Sequence, residues 1–411
     1  MSCQTPVYLD HNATTPVDPR VFDAMRPYFC EIFGNAASRS HSFGLAAAAA
    51  VDTAREQIAS LINALPSEII FTSGATESNN LAIKGIAEMY RSKGKHIITQ
   101  PTEHKAILDP CQRLESQGCQ ITLLPIDSTG RINLDQLAAA IRPDTVLVSI
   151  MYANNETGTC QPIAEIGRLC HEKGVLFHTD ATQAVGHIPV DVSLDQIDLL
   201  SLSAHKLYGP KGVGCLYVRK RNPRVLLTPL LDGGGHERGF RSGTLNVPGI
   251  AGLGEACRIA KEELPAESRR LAALRDRLES GIFAANRFVT LNGDREHRLP
   301  HTSNLSFAYV EGESLMMAMG DIAVSSGSAC TSASLEPSHV LAAMGVNPIL
   351  AHSSLRFGLG RSTTAEQIEY VIQNLTRALT RLRDMSPLYE LAMEGTDPAT
   401  LTWTPAEHQK P

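Results

Sequence analysis

The sequence predicts an α/β protein: a mostly parallel, seven-stranded sheet flanked by helices, followed by a smaller α+β region. Three observations carry that prediction. Short β-branched or apolar runs alternate with stretches of helical pattern, which argues for a parallel sheet covered by helices. Many of the runs are continuously apolar, as strands buried on both faces are. After about residue 258 the texture changes to a long, charge-laced helical pattern and then to short strands and helices.

In chain order the strand-like runs are Glu68 to Thr72, His96 to Thr99, Gln120 to Leu124, Thr145 to Tyr152, Val175 to Thr179, Ile197 to Ser203 and Val213 to Val218. Helical stretches separate them at Ser78 to Lys93, His104 to Gln117 and Ile163 to Lys173. Further on, Glu262 to Ala285 reads as helix, Phe288 to Leu291 and Ser303 to Phe307 as strands, and Glu313 to Met319 and Thr364 to Leu382 as helices. A boundary at the long helix divides the chain into a large domain, residues 16–262, and a small one, residues 1–15 with 263–411. The stretch Gly395 to Pro411 is rich in Thr, Pro and Ala and reads as extended.

Composition narrows the function. The 411 residues are 43% hydrophobic, ample for a packed core, so a largely disordered chain is excluded. Lys and Arg total 37 against 43 Asp and Glu, a net charge of −6 with no long basic run, which speaks against a nucleic-acid binder. The N-terminus lacks a basic segment followed by an apolar one, and no window reaches the ~18 apolar residues of a spanning helix. A soluble, cytoplasmic protein without membrane contact is expected. The nine cysteines form an odd set without CxxC or Cys/His spacing. Neither a disulfide framework nor an intrinsic metal site is expected, and the thiols should be reduced.

Ligands of open α/β sheets bind outside the carboxyl ends of the strands, so the residues just after each run matter most. Ser73-Gly74-Ala75-Thr76-Glu77 follows the first run. Such a turn suits a phosphate at a helix N-terminus, or is an ordinary capped turn. Asp180 follows VLFHT and is either a cap or a carboxylate for a protonated ring nitrogen. Lys206, in Ala204-His205-Lys206, is either a surface lysine or a Schiff-base nucleophile. His104 is either a residue at a helix start or a flat ring that stacks on a ligand and carries protons. Asn155, in the Asn154-Asn155-Glu156-Thr157-Gly158 turn, offers an amide at the same rim, or is a plain turn residue. A ring-nitrogen partner, an amine and a phosphate cradle in one crevice suit pyridoxal phosphate. Nucleotide loops of the GxGxxG and GxxxxGK[ST] kinds and the HExxH zinc motif are missing.

Taken together, TSGATES, TEHKA, NNETG, HTDATQAVG, SLSAHKLYGPKG, GGGHERGFRSGT and SSGSACTSASLEPS resemble the cysteine desulfurases, pyridoxal-phosphate enzymes of aminotransferase fold type I. The likeness runs in order from YLDHNATTP to LRDMSPLYE, and the serine-rich cysteine segment resembles the group I branch of iron–sulfur cluster assembly. HERGFRSGT looks more like the housekeeping members than the nitrogen-fixation ones. The resemblance implies that Lys206 carries the cofactor, Asp180 holds its pyridine nitrogen, His104 stacks on the ring and Gln183 bonds its phenolic oxygen. It implies phosphate binding by Ala75, Thr76, Ser203 and His205, with Thr244 reaching in from the partner of a homodimer. Asn155 and Arg356 would hold the carboxylate of L-cysteine, a bidentate guanidinium being a natural clamp; Asn155 also counts among the cofactor-binding residues. Lys206 would move the α-proton, and Cys330 would take the sulfur as a persulfide, leaving L-alanine.

Cys330 sits among small residues with no apolar period, so the stretch from about 325 to 336 is expected to be mobile. Cys215, in a strand, and Cys170 and Cys257, in helical patterns, read as buried small hydrophobes. Sulfur would pass to a cluster scaffold protein and other acceptors, with Cys330 transiently sharing a cluster with the scaffold. Two features depart from the family pattern: Ala36 where a Pro is common, and the tail beyond Trp403, which bears on scaffold docking. The alternatives on the same fold are a selenocysteine lyase, a nitrogen-fixation desulfurase and a simple aminotransferase. A sulfur relay or scaffold with little catalysis is the non-enzymatic one.

Overall fold

The computed structural model describes residues 4–326 and 338–395; Cys330, Cys3 and Trp403 lie outside them, as does nearly all of the stretch read as mobile. The seven strands form one sheet. In spatial order they are Ile69–Thr72, Gly214–Val218, Leu199–Ser203, Leu176–Asp180, Thr145–Ser149, His96–Thr99 and Gln120–Leu123. Gly214–Val218 runs antiparallel to both of its neighbours; the other pairings are parallel. The strands are buried along their whole length except Gln120–Leu123, which lies at the sheet edge with one neighbour. Continuous apolar sequence therefore marked the interior strands for the expected reason: helices cover both faces.

Several strands are shorter than the apolar runs that announced them. Leu199–Ser203 starts after Asp198, whose buried carboxylate accepts the Phe177 amide at 2.9 Å and pairs with Arg219 at 3.1 Å. Thr145–Ser149 stops before Tyr152 because the chain there turns into the rim of a cleft. The sequence reading assigned no element to the helix Ser42–Leu61, whose alanine-rich face buries Ala47, Val51, Ala54 and Ile58. The long helix begins at Val247, not at Glu262, and runs to Ala285. Its first half carries glycines that sequence reasoning treats as helix breakers. They are admitted by packing: a Cβ on Gly254 would lie 2.5 Å from the Ala54 Cα of the Ser42–Leu61 helix.

A second, antiparallel sheet joins Ser325–Ser326, Ser354–Gly358, Thr302–Phe307 and Val289–Leu291 in that order. Around it Leu305, Phe307, Leu355 and Phe357 pack with Val7 and Leu9 and with Leu271, Leu278 and Ile282 of the long helix. The first half of that helix instead buries Ile250, Leu253, Ala256 and Cys257 against the larger sheet. One helix thus serves two cores, and the boundary read at 262/263 falls within it. Among the described residues, no helix is long and apolar enough to cross a membrane.

Candidate active site

The parallel strands all end at one rim, and there the chain encloses a cleft of about 600 Å³. Ala75, Thr76, His104, Asn155, Asp180, Gln183, Ser203, His205, Lys206 and Arg356 all line it. Thr244 does not; it is exposed and lies away from this chain's own cleft.

Each side chain is placed by local structure. Ala75 opens the helix Ala75–Met89, and Gly74 precedes it with φ +152, a conformation that glycine tolerates. First-turn amides of a helix have no intrahelical acceptor, so this end faces the cleft with donors to spare. Asp180 ends its strand, 6% exposed. Its carboxylate accepts from Asn79 Nδ2 at 2.7 Å and from the Thr182 amide at 3.0 Å. Asp180 thus caps the next turn and also lines the cleft.

His104 likewise combines a capping contact with a place on the cleft wall. It caps the helix Lys105–Ser116, its Nδ1 accepting the Ala106 amide at 3.0 Å. In the neutral ring the proton therefore resides on Nε2. His205 and Lys206 form a single 3₁₀ turn with Ala204 directly after the Leu199–Ser203 strand. Lys206 Nζ donates to the Asn12 and Ala13 carbonyls at 2.6 and 2.7 Å. Burial, aided by the Lys206 and Lys211 charges, pushes the His205 pKa down to about 4, so this ring is neutral near pH 7. Asn155 sits in a turn held by Asn154, whose Oδ1 accepts the Glu156 and Thr157 amides at 2.8 and 2.9 Å. Arg356 is 2% exposed; it donates to the Asn155 carbonyl at 3.0 Å and pairs with Asp10 at 2.8 Å.

Sequence reasoning missed the N-terminal Asp10, Asn12 and Ala13, which hold Arg356, Gln183 and Lys206. The available signal was a polar DHNATT tract directly after an apolar strand. It also missed Asn79 and two buried carboxyls flanking the cleft, Glu103 and Glu156. Burial pushes the Glu103 carboxyl well above the ordinary range, and that of Glu156 up to about 7.

The description "Aminotransferase class-V" matches residues 7–371. The chain is 59% identical to "Cysteine desulfurase IscS" of Anaeromyxobacter sp. (strain Fw109-5), covering 97% of this chain and 98% of that protein. It is 56% identical to the "Cysteine desulfurase" of Homo sapiens over 97% of this chain and 87% of that one. Among solved structures, "NIFS-LIKE PROTEIN" superposes with a TM-score of 0.85 at 39% identity, covering 91% of this chain and 99% of that chain. "SspA in complex with cysteine" does so with a TM-score of 0.77 at 40% identity, covering 86% and 98%.

Enzymes of this family carry pyridoxal phosphate, and the cleft residues fit it. Asn12 Oδ1, Asn79 Oδ1 and Thr182 Oγ1 are buried without a hydrogen-bond partner among the described residues, and all three residues line the cleft. Buried polar atoms of this kind are satisfied by a ligand or water. A carboxylate, an amine and a helix N-terminus face the same space, as the ring nitrogen, aldehyde and phosphate of the cofactor require. From the motifs, the cleft and the near-complete match to its relatives together, the chain belongs to the cysteine desulfurases of the class-V aminotransferase family.

Proposed function

We propose that this enzyme removes sulfur from L-cysteine, releasing L-alanine and leaving the sulfur on Cys330 as a persulfide for iron–sulfur cluster assembly. Pyridoxal phosphate, when bound, supplies an electron sink for the substrate's Cα. Lys206 would hold it and move the α-proton at Nζ, Asp180 would pair with its ring nitrogen, and Gln183 and His104 would flank it. Ala75, Thr76, Ser203 and His205 hold the phosphate. Asn155 and Arg356 take the substrate carboxylate. Cys330 Sγ attacks the substrate sulfur; the S–S bond forms as the C–S bond breaks, and the carbon skeleton leaves after protonation.

The observation that carries the reading is the convergence of Lys206, Asp180, His104 and Arg356 on one cleft. In sequence Cys330 follows Ser326 by four residues, and the strand of Ser326 pairs with the one bearing Arg356. Of the described cysteines, Cys111, Cys170, Cys215 and Cys257 are buried. Burial pushes the Cys111 thiol up to about 12 and that of Cys215 well above its ordinary value, which disfavours the nucleophilic thiolate.

The exposed Thr244 supports a homodimer in which each chain completes its partner's phosphate site. Residues 16–262 are read as the cofactor domain, with 1–15 and 263–411 as the second domain. A group I housekeeping desulfurase working in the cytoplasm with a scaffold acceptor is the reading the motifs favour.

Mass spectrometry of the holoenzyme after adding L-cysteine tests the proposal. One added sulfur on the peptide containing Cys330 is expected, and none in Cys330→Ser. Persulfide on another cysteine, or wild-type sulfide release by that variant, overturns it. Lys206→Ala should lose the absorbance of the lysine-bound cofactor; retained absorbance removes Lys206 from its role.

A further inference from the structure

Glu156 has no part in that chemistry, yet it is buried at the substrate end of the cleft, 5% exposed. Its Oε2 accepts the hydroxyl of Ser338, which is itself buried. Ser338 is the first described residue after 327–337, the segment that contains Cys330. Its Oγ also accepts the Val340 and Leu341 amides, each at 3.2 Å, and so caps the helix His339–Ala343. Next in sequence, His339 Nε2 donates to the Glu103 carbonyl at 3.0 Å, immediately before His104. Two successive residues are therefore fastened by their side chains to the two turns that carry Asn155 and His104.

Capping alone does not require the carboxyl: Ser338 Oγ would accept the two amides without it. Burying this carboxyl costs more free energy than its one hydroxyl donor returns, so its presence at this point needs another reason. The charged or titratable groups facing it are Arg356, from the Ser354–Gly358 strand, and His104. Both oppose the effect of burial, so the carboxyl sits between its charged and neutral forms near pH 7.

We infer that Glu156 is a positioning residue for sulfur transfer: it holds Ser338, eight residues after Cys330 in sequence, at the substrate end of the cleft. The inference rests on the desulfurase reading. It predicts that breaking the contact slows transfer without weakening cysteine binding.

The experiment compares wild-type holoenzyme with Ser338→Ala, Glu156→Ala, their double variant and Glu156→Gln. The cofactor's absorbance change on titration with L-cysteine reads binding. Alanine and sulfide release with reductant reads turnover. Losing a hydrogen bond to a charged group should lower kcat about tenfold in either alanine variant, with KM and the binding titration within about twofold of wild type. The double variant should lose no more than the worse single one, because both remove one contact. Glu156→Gln should restore kcat, since its carboxamide oxygen accepts the same hydroxyl. Wild-type kcat in both alanine variants, additive losses in the double variant, or a raised KM at unchanged kcat would each overturn the inference. If Glu156→Ala fails to fold, Ser338→Ala and Glu156→Gln still decide it. A wild type that releases no alanine would sink the desulfurase reading instead.

Discussion

Arg356 illustrates how a single charge is made useful. Its guanidinium is buried, so it needs a counter-charge within the fold, and Asp10 supplies one at 2.8 Å. Its Nε has no hydrogen-bond partner among the described residues, and the side chain still faces the cleft. Asp10 therefore steadies the cation without consuming all its donors, five in a fixed fork. Removing one partner of a buried pair leaves the other charge uncompensated. Asp10→Asn should raise KM for L-cysteine about tenfold with a smaller effect on kcat, the pattern of lost ground-state binding. Steady-state kinetics check this; an unchanged KM would show that the pair is purely structural.

At the scale of elements, the helices Ser42–Leu61 and Val247–Ala285 touch through a surface of small residues. Gly to Ala within an exposed helix stabilises by about 1 kcal/mol, because Ala is the better helix former. At Gly254 the sign should reverse. The added methyl would meet backbone at 2.5 Å, and overpacking of this kind costs about 1–3 kcal/mol. Gly254→Ala should accordingly lower the thermal midpoint, as differential scanning calorimetry would read; a raised midpoint would show that the helices separate at no cost. The same contact explains why sequence reasoning found the second half of this helix and not the first. The 3.6-residue pattern of charge and Leu is legible after Glu262, whereas glycines that exist to admit a neighbour look like breaks.

Across the whole molecule, imidazoles are buried where the two cores meet. The rings of His187 and His301 lie 4.1 Å apart, and His187 Nε2 donates to the Lys206 carbonyl at 2.9 Å. Burial pushes the His187 pKa down to about 4 and that of His301 well below the ordinary value. A depressed folded pKa means that the neutral ring stabilises the fold above pH ~6.5, and that this contribution is lost as pH falls through about 4. For His187 it is of the order of 3 kcal/mol. Glu156 acts in the opposite direction: its pKa is raised, so its contribution is full below the ordinary carboxylate range and is lost as pH rises through about 7. The thermal midpoint should fall between pH 6.5 and 4, and the fall should be shallower in His187→Gln. An equal fall in that variant would place the acid sensitivity elsewhere.

Local chemistry made much of this protein legible. Apolar runs marked the seven strands, six of them buried, and small or polar residues at or after their ends marked the rim that carries Thr76, His104, Asn155, Asp180 and Lys206. These features are short-range, because strand burial and turn formation each involve a few successive residues. What joins distant segments was decided only by tertiary structure. Asp10 with Arg356, Lys206 with the Asn12 carbonyl, and Glu156 with Ser338 lie 346, 194 and 182 residues apart. No pattern along the chain pairs such residues. They meet because the N-terminal strand Val7–Tyr8 and the long helix bring the second core against the open ends of the first sheet, and that packing, summed over many buried side chains, sets the distances within the site.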